Sequence, residues 1–133
     1  MYRACIALVD ATRARLFTFD RDSDAGETRE ELLEHEDLVD PARHQRLEPA
    51  FARRVVRELG ALLERSGAHR LIVCARPSML GELRAADLRG NGIVIDEVRH
   101  DLVELSSAKL RERLAEYGLL PPVPPRAARE VTP

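Results

Sequence analysis

Lysine is almost missing from this chain: twenty of its twenty-one basic residues are arginine, and Lys109 is the exception. Arginine's planar fork suits phosphate and carboxylate recognition. The same bias, alongside many alanines, also follows from genomic composition without any site. Cysteine is scarce. Cys5 and Cys74 both sit inside apolar runs, and two cysteines make neither a disulfide framework nor a zinc site. Both read as reduced core residues. No apolar run approaches the roughly 20 residues of a membrane span. The stretch from Ala4 to Val9 is too short for a signal peptide and ends at Asp10, so no membrane is expected and a cytoplasmic location is. Net charge is small, formally -2. That gives no global case for nucleic acid, so any such case must be local. The chain has no internal repeat.

What is present suits one domain. The 133 residues are 44% hydrophobic and 33% charged, enough for a core and a solvated surface. Residues 1–118 read as one α/β domain, and 119–133, with Pro121, Pro122, Pro124 and Pro125, as an extended and loosely held tail.

Residues 3–9 are apolar on both alternating faces, as in a central strand. A tight turn at Asp10 to Thr12 leads into a second, antiparallel strand over 13–19. Asp20 to Thr28 is polar, contains Gly26 and reads as a loop. Residues 29–38 carry many glutamates, which favour helix locally. Leu32, Leu33, Leu38 and Val39 fit no helical stripe, however, and a third strand is expected.

Pro49 suits a helix start, Ala52, Val55, Val56, Leu59, Leu62 and Leu63 recur at helical spacing, and Gly67 ends the run. Residues 71–75 and 93–98 read as short strands, with a helix opening at Pro77 and Ser78 between them. Ser106 is a good N-cap for a third helix, closed by Gly118. Arg111 and Arg113 fall on that helix, away from the crevice edge of the sheet, where replacement should do little to binding there. The core should include Ile6, Leu8, Val55, Val56, Leu59, Leu63, Leu71, Val73, Ile95, Leu110 and Leu114.

The order is β-β-β-α-β-α-β-α. Right-handed crossovers then give a mixed five-stranded sheet of order 3-2-1-4-5 with only strand 2 antiparallel and three helices, the ribonuclease H-like layout.

Three segments carry a family likeness: ALVDATRARLF at 7–17, RLIVCARPSMLGELR at 70–84 and VRHDLVELSSAKLRERL at 98–114. They resemble the host attachment protein family, also described as a bacterial and archaeal release-factor-like family. The resemblance implies a domain similar to the middle domain of archaeal and eukaryotic peptide-chain release factors, and a ribosome- or RNA-associated role. The attachment name implies instead an interaction module that serves binding to host cells. Such release factors act through a Gly-Gly-Gln loop. This chain has no adjacent glycine pair, and Gln45 is its only glutamine; Gly90-Asn91-Gly92 reads as a turn.

A metal-dependent nuclease on this layout needs converging carboxylates. Asp10 is well placed for one, but the end of the fourth strand reads Ala75-Arg76, without an acid. Asp10 therefore reads as an acceptor that shapes its turn. His35, His44, His69 and His100 lack metal-ligand spacing, and His100-Asp101 as a base with its orienting acid lacks a nucleophile. No catalytic residue, metal or cofactor is expected.

The sheet order instead places a crevice at the carboxyl ends of strands 1 and 4. Asp10, Thr12, Arg13, Arg43, Arg46, Arg76, Ser78 and Arg99 fall along that edge with the helix N-termini. The expected ligand is a polyanion, structured RNA or the ribosome, and not DNA. The alternative is that these arginines pair with Asp10, Asp40 and Asp101, or are simply solvated.

Overall fold

Central position in the sheet follows from the first strand's composition. In the computed structural model, which describes residues 1–40, 48–88 and 92–124, β1 (Tyr2–Val9) has every residue from Ala4 to Val9 fully buried. Its alternation feeds two cores. Cys5, Ala7 and Val9 face one side, and Ile6 and Leu8 face the other.

Five strands form one sheet in the order β3-β2-β1-β4-β5. β2 (Arg13–Asp24) runs antiparallel to both β1 and β3 (Glu27–Val39), while β4 (Arg70–Cys74) and β5 (Val94–Val98) extend the sheet in parallel from β1. Between them come α1 (Glu48–Ser66) and α2 (Pro77–Ala85), with α3 (Ser107–Glu116) last. This is the order and topology expected.

The α1 and α2 side buries Val55, Leu59, Leu62 and Leu80 against Leu71 and Val73. The α3 side buries Leu110 and Leu114 against Phe17, Phe19 and Ile72. Each fully buried leucine contributes roughly 2 kcal/mol by leaving water. Of the expected core, Val56 and Ile95 are only partly buried, each packed at the margin of the α1 side.

Two expectations about the chain's path are corrected. Residues 20–28 are not a loop: β2 and β3 continue to a two-residue turn at Ala25 and Gly26, with φ of 52° and 81°. Positive φ at both positions marks the turn that matches strand twist. Polarity misled here because this end of the hairpin projects beyond β1, whose pairing with β2 stops at Tyr2 and Arg21. Residues 119–122 are also not loose. Leu120 is buried, the Tyr2 hydroxyl donates to the Leu119 carbonyl at 3.0 Å, and Arg21 donates to that of Pro122 at 2.8 Å.

β3 is a strand despite its glutamates because β2 supplies arginines across from them. Arg15 grips Glu34 with two bonds of 3.1 and 2.7 Å, and Arg13 grips Asp37 with two of 2.9 Å. Cross-strand ion pairs of this kind override a local helical preference. The register shifts between Leu16 and Phe17, leaving His35 as the extra residue of a bulge.

Candidate functional site

The turn after β1 is organised by one carboxylate. Asp10 Oδ1 accepts from the Thr12 and Arg13 amides at 2.8 and 2.7 Å, and from the Thr12 hydroxyl at 3.4 Å. The Asp10 amide closes the turn onto the Arg13 carbonyl at 2.8 Å. A short polar side chain that replaces backbone partners in this way is the reason for aspartate here.

Beside it, β4 ends at Cys74, and the Ala75 amide still donates to the Val98 carbonyl at 3.0 Å. Arg76 is then extended and caps α2, with Pro77 in the first turn and no acidic residue there to offset the positive end of the helix. After β5, Asp101 Oδ1 accepts from the Val103 amide at 3.1 Å, while its Oδ2 lies 3.9 Å from Arg76 Nε.

These three strand ends enclose a cavity of about 320 Å³ lined by Asp10, Ala11, Thr12, Arg76, Ser78, Met79 and Asp101. It sits where the chain's direction away from β1 and β4 diverges, which is where open α/β sheets leave a crevice. All three helices present their amino ends toward this edge. Arg54 of α1 donates to the Val39 carbonyl at 3.1 Å, and Glu104, just before α3, lies 3.8 Å from Arg13.

Four of the eight expected residues, Asp10, Thr12, Arg76 and Ser78, line this cavity together. Arg13 does not, because its guanidinium turns to Asp37; that bond raises the arginine's pKa and lowers the carboxyl's. Arg99 is exposed beyond β5 and is not part of the lining. Arg43 and Arg46 lie outside the described residues.

Asp101 lines the cavity without having been placed in the expected set. It follows β5 as Asp10 follows β1, and its approach to Arg76 is one of the arginine–aspartate pairings the sequence left open. The His100 ring stacks on Tyr117, with centroids 6.0 Å apart and planes 25° from parallel.

Arg76 is 76% exposed at its side chain, so its cationic face is open to solvent. The cavity therefore offers one guanidinium, two carboxylates and the first turn of a helix. Among the described residues, no group of three or more His, Cys, Asp or Glu side chains is placed to hold a metal ion, and no helix is long and apolar enough to cross a membrane.

A model of the family described as "Protein required for attachment to host cells" matches residues 39–114, more than half of the chain, from the end of β3 into α3. The match takes in Arg76, Ser78 and Asp101 but not Asp10 or Thr12. No curated protein matches the chain.

Proposed function

This chain belongs to the host-attachment family, and from that premise we propose that it is a non-catalytic binding module working through the cleft at the carboxyl ends of β1 and β4. Its ligand on this reading is a phosphate-bearing strand, structured RNA, and its part in attachment is exercised through that ligand. The observation that carries the reading is the meeting of Arg76 and the α2 amino end with Asp10, Thr12 and Asp101 around one cavity of about 320 Å³.

A phosphate suits Arg76 and the helix end, and sugar hydroxyls suit carboxylates that can only accept. The resemblance of residues 7–17, 70–84 and 98–114 to a family also described as release-factor-like is what favours the same ligand class. A nuclease would ask more of the cleft than two carboxylates beside an arginine.

A second reading, direct docking of a protein partner during attachment, draws on a different observation. Arg13 and Arg76 already face Asp37 and Asp101, which reduces the cationic surface left for a polyanion.

Fluorescence anisotropy with a labelled RNA hairpin separates the two. RNA binding by the parent should weaken as salt rises. Arg76→Ala should weaken it by about fivefold across different sequences, the loss of one partly exposed charge-assisted bond, whereas Arg29→Ala at the far end of the hairpin should not. No binding at low salt, or equal loss in both variants, would reject the RNA reading and leave protein docking in its place.

A further inference from the structure

The sheet ends at β3, whose thirteen residues have a strand neighbour on one side only. Among the described residues, the single side-chain hydrogen bond to its backbone is from Arg54 to the Val39 carbonyl, at the strand's last residue. The remainder of that edge presents backbone donors and acceptors outward, which is a template for another strand.

Its charge is strongly one-sided. Residues 20–37 of the β2–β3 hairpin hold nine acidic side chains against two arginines, of which β3 itself carries six and one. Asp20, Glu30, Glu34 and Asp37 are gripped by Arg3, Arg111, Arg15 and Arg13. Asp22, Asp24, Glu31 and Glu36 make no ion pair among the described residues.

The face toward α1 adds an apolar step. Leu33 is 44% exposed, and by register it shares that face with Glu31 and Glu36, opposite Thr18, Asp20 and Leu16. It borders a second cavity, of about 310 Å³, between the sheet and α1, where Leu62 forms an apolar wall and Arg3, Thr18, Asp20, His35, Arg65 and Ser66 a polar one.

We propose that the β3 edge is a docking site for an extended basic peptide of a partner protein, added as a sixth strand beside Glu27–Leu33. Main-chain bonds would supply affinity, and alternate side chains specificity. An apolar residue would cover Leu33 at the mouth of the cavity, with arginine or lysine two positions away facing Glu31. A second copy of this chain is the wrong occupant: β3 against β3 sets acid against acid, and charged edges of this kind keep like strands apart. This surface is separate from the cleft between β1 and β4, and its test does not depend on any ligand there.

The probes are three short labelled peptides, one alternating arginine and valine, one alternating glutamate and valine, and a copy of the first with alternate backbone amides methylated. The full chain should bind the first, protect the amides of Glu27–Leu33 from hydrogen exchange, and ignore the other two. Leu33→Lys combined with Glu31→Lys should weaken binding by about tenfold or more with an unchanged melting temperature. Absence of binding, equal binding of the methylated peptide, or protection confined to the β1–β4 cleft would each overturn the proposal. So would a parent dimer in sedimentation velocity that Leu33→Lys dissolves, which would make a second copy the occupant.

Discussion

Arg111 and Glu30 are 81 residues apart in sequence and joined by two parallel bonds, Nε to Oε2 at 2.6 Å and Nη2 to Oε1 at 2.9 Å. The arginine is buried, lies 4.9 Å over the Phe19 ring, and ties α3 to the far hairpin. Its place on the third helix, away from the cleft, gave no sign of this pairing. Among the described residues, its remaining Nη1 is buried without a hydrogen-bond partner. Arg111→Ala should lower stability by about 2 kcal/mol, from the lost packing over Phe19 and the lost charge-assisted bonds to the partly buried Glu30. Arg111→Lys should recover little, because an ammonium cannot reproduce the fork or the stacking. Urea denaturation midpoints measure both.

Arg13 and Asp37 make the same bidentate contact in the open, and the consequence is different. The hydrogen bond from Arg13 holds the Asp37 carboxyl below its ordinary value of 3.8. A depressed carboxyl stabilises the fold above its unfolded pKa, and that contribution is lost as pH falls through the lowered value. Both side chains are partly exposed, at 33% and 44%, so the pair should be worth less than about 1 kcal/mol. Carboxyl NMR titration of Arg13→Ala should show Asp37 moving back up, with little change in melting temperature at neutral pH.

Burial governs both thiols. It pushes Cys74 up to about 12 and raises Cys5, whose contact with the Ser66 hydroxyl at 3.4 Å only partly opposes it. Thiolate is the reactive form. Neither cysteine should react with a disulfide reagent at pH 8 in the native protein, and both should react after unfolding in guanidinium, as counted by absorbance. Rapid native labelling of either one would contradict the burial shown.

Ala25 holds φ at 52° in the hairpin turn, a conformation that costs a residue with a Cβ. Ala25→Asn should stabilise by about 0.5 kcal/mol, since asparagine tolerates this region and the Asn-Gly pair is preferred in such turns. Gly26→Val, at φ of 81°, should destabilise by more than that gain. Thermal melts of the two variants should move in opposite directions.

Much of the fold was legible because short-range patterns agree with it. The uninterrupted apolar run of β1, the helical spacing from Ala52 to Leu63, the Ser106 cap on the Lys109 amide at 3.2 Å and Gly118 at φ 75° all express local chemistry. Half of the cleft was legible too. Asp10 as a turn-shaping acceptor follows from its position after a strand, and Arg76 with Ser78 from the proline-led helix start. Asp101 was legible as a partner for an arginine but not as part of the lining, and Asp37 as the partner of Arg13 was not legible, because each depends on which strand lies alongside.

The sequence by itself determined the element order, the two-sided burial of β1 and the shape of the Asp10 turn. All three depend on periodicity or on bonds spanning a few residues. The tertiary structure alone decided which charges are spent and which remain. Arginine's long side chain reaches across strands and between layers, so Arg13 goes to Asp37, Arg15 to Glu34 and Arg111 to Glu30 according to register and packing. Those choices leave Arg76 facing the cleft and the acids of β3 facing outward, a division that no local pattern in a chain of twenty arginines can express.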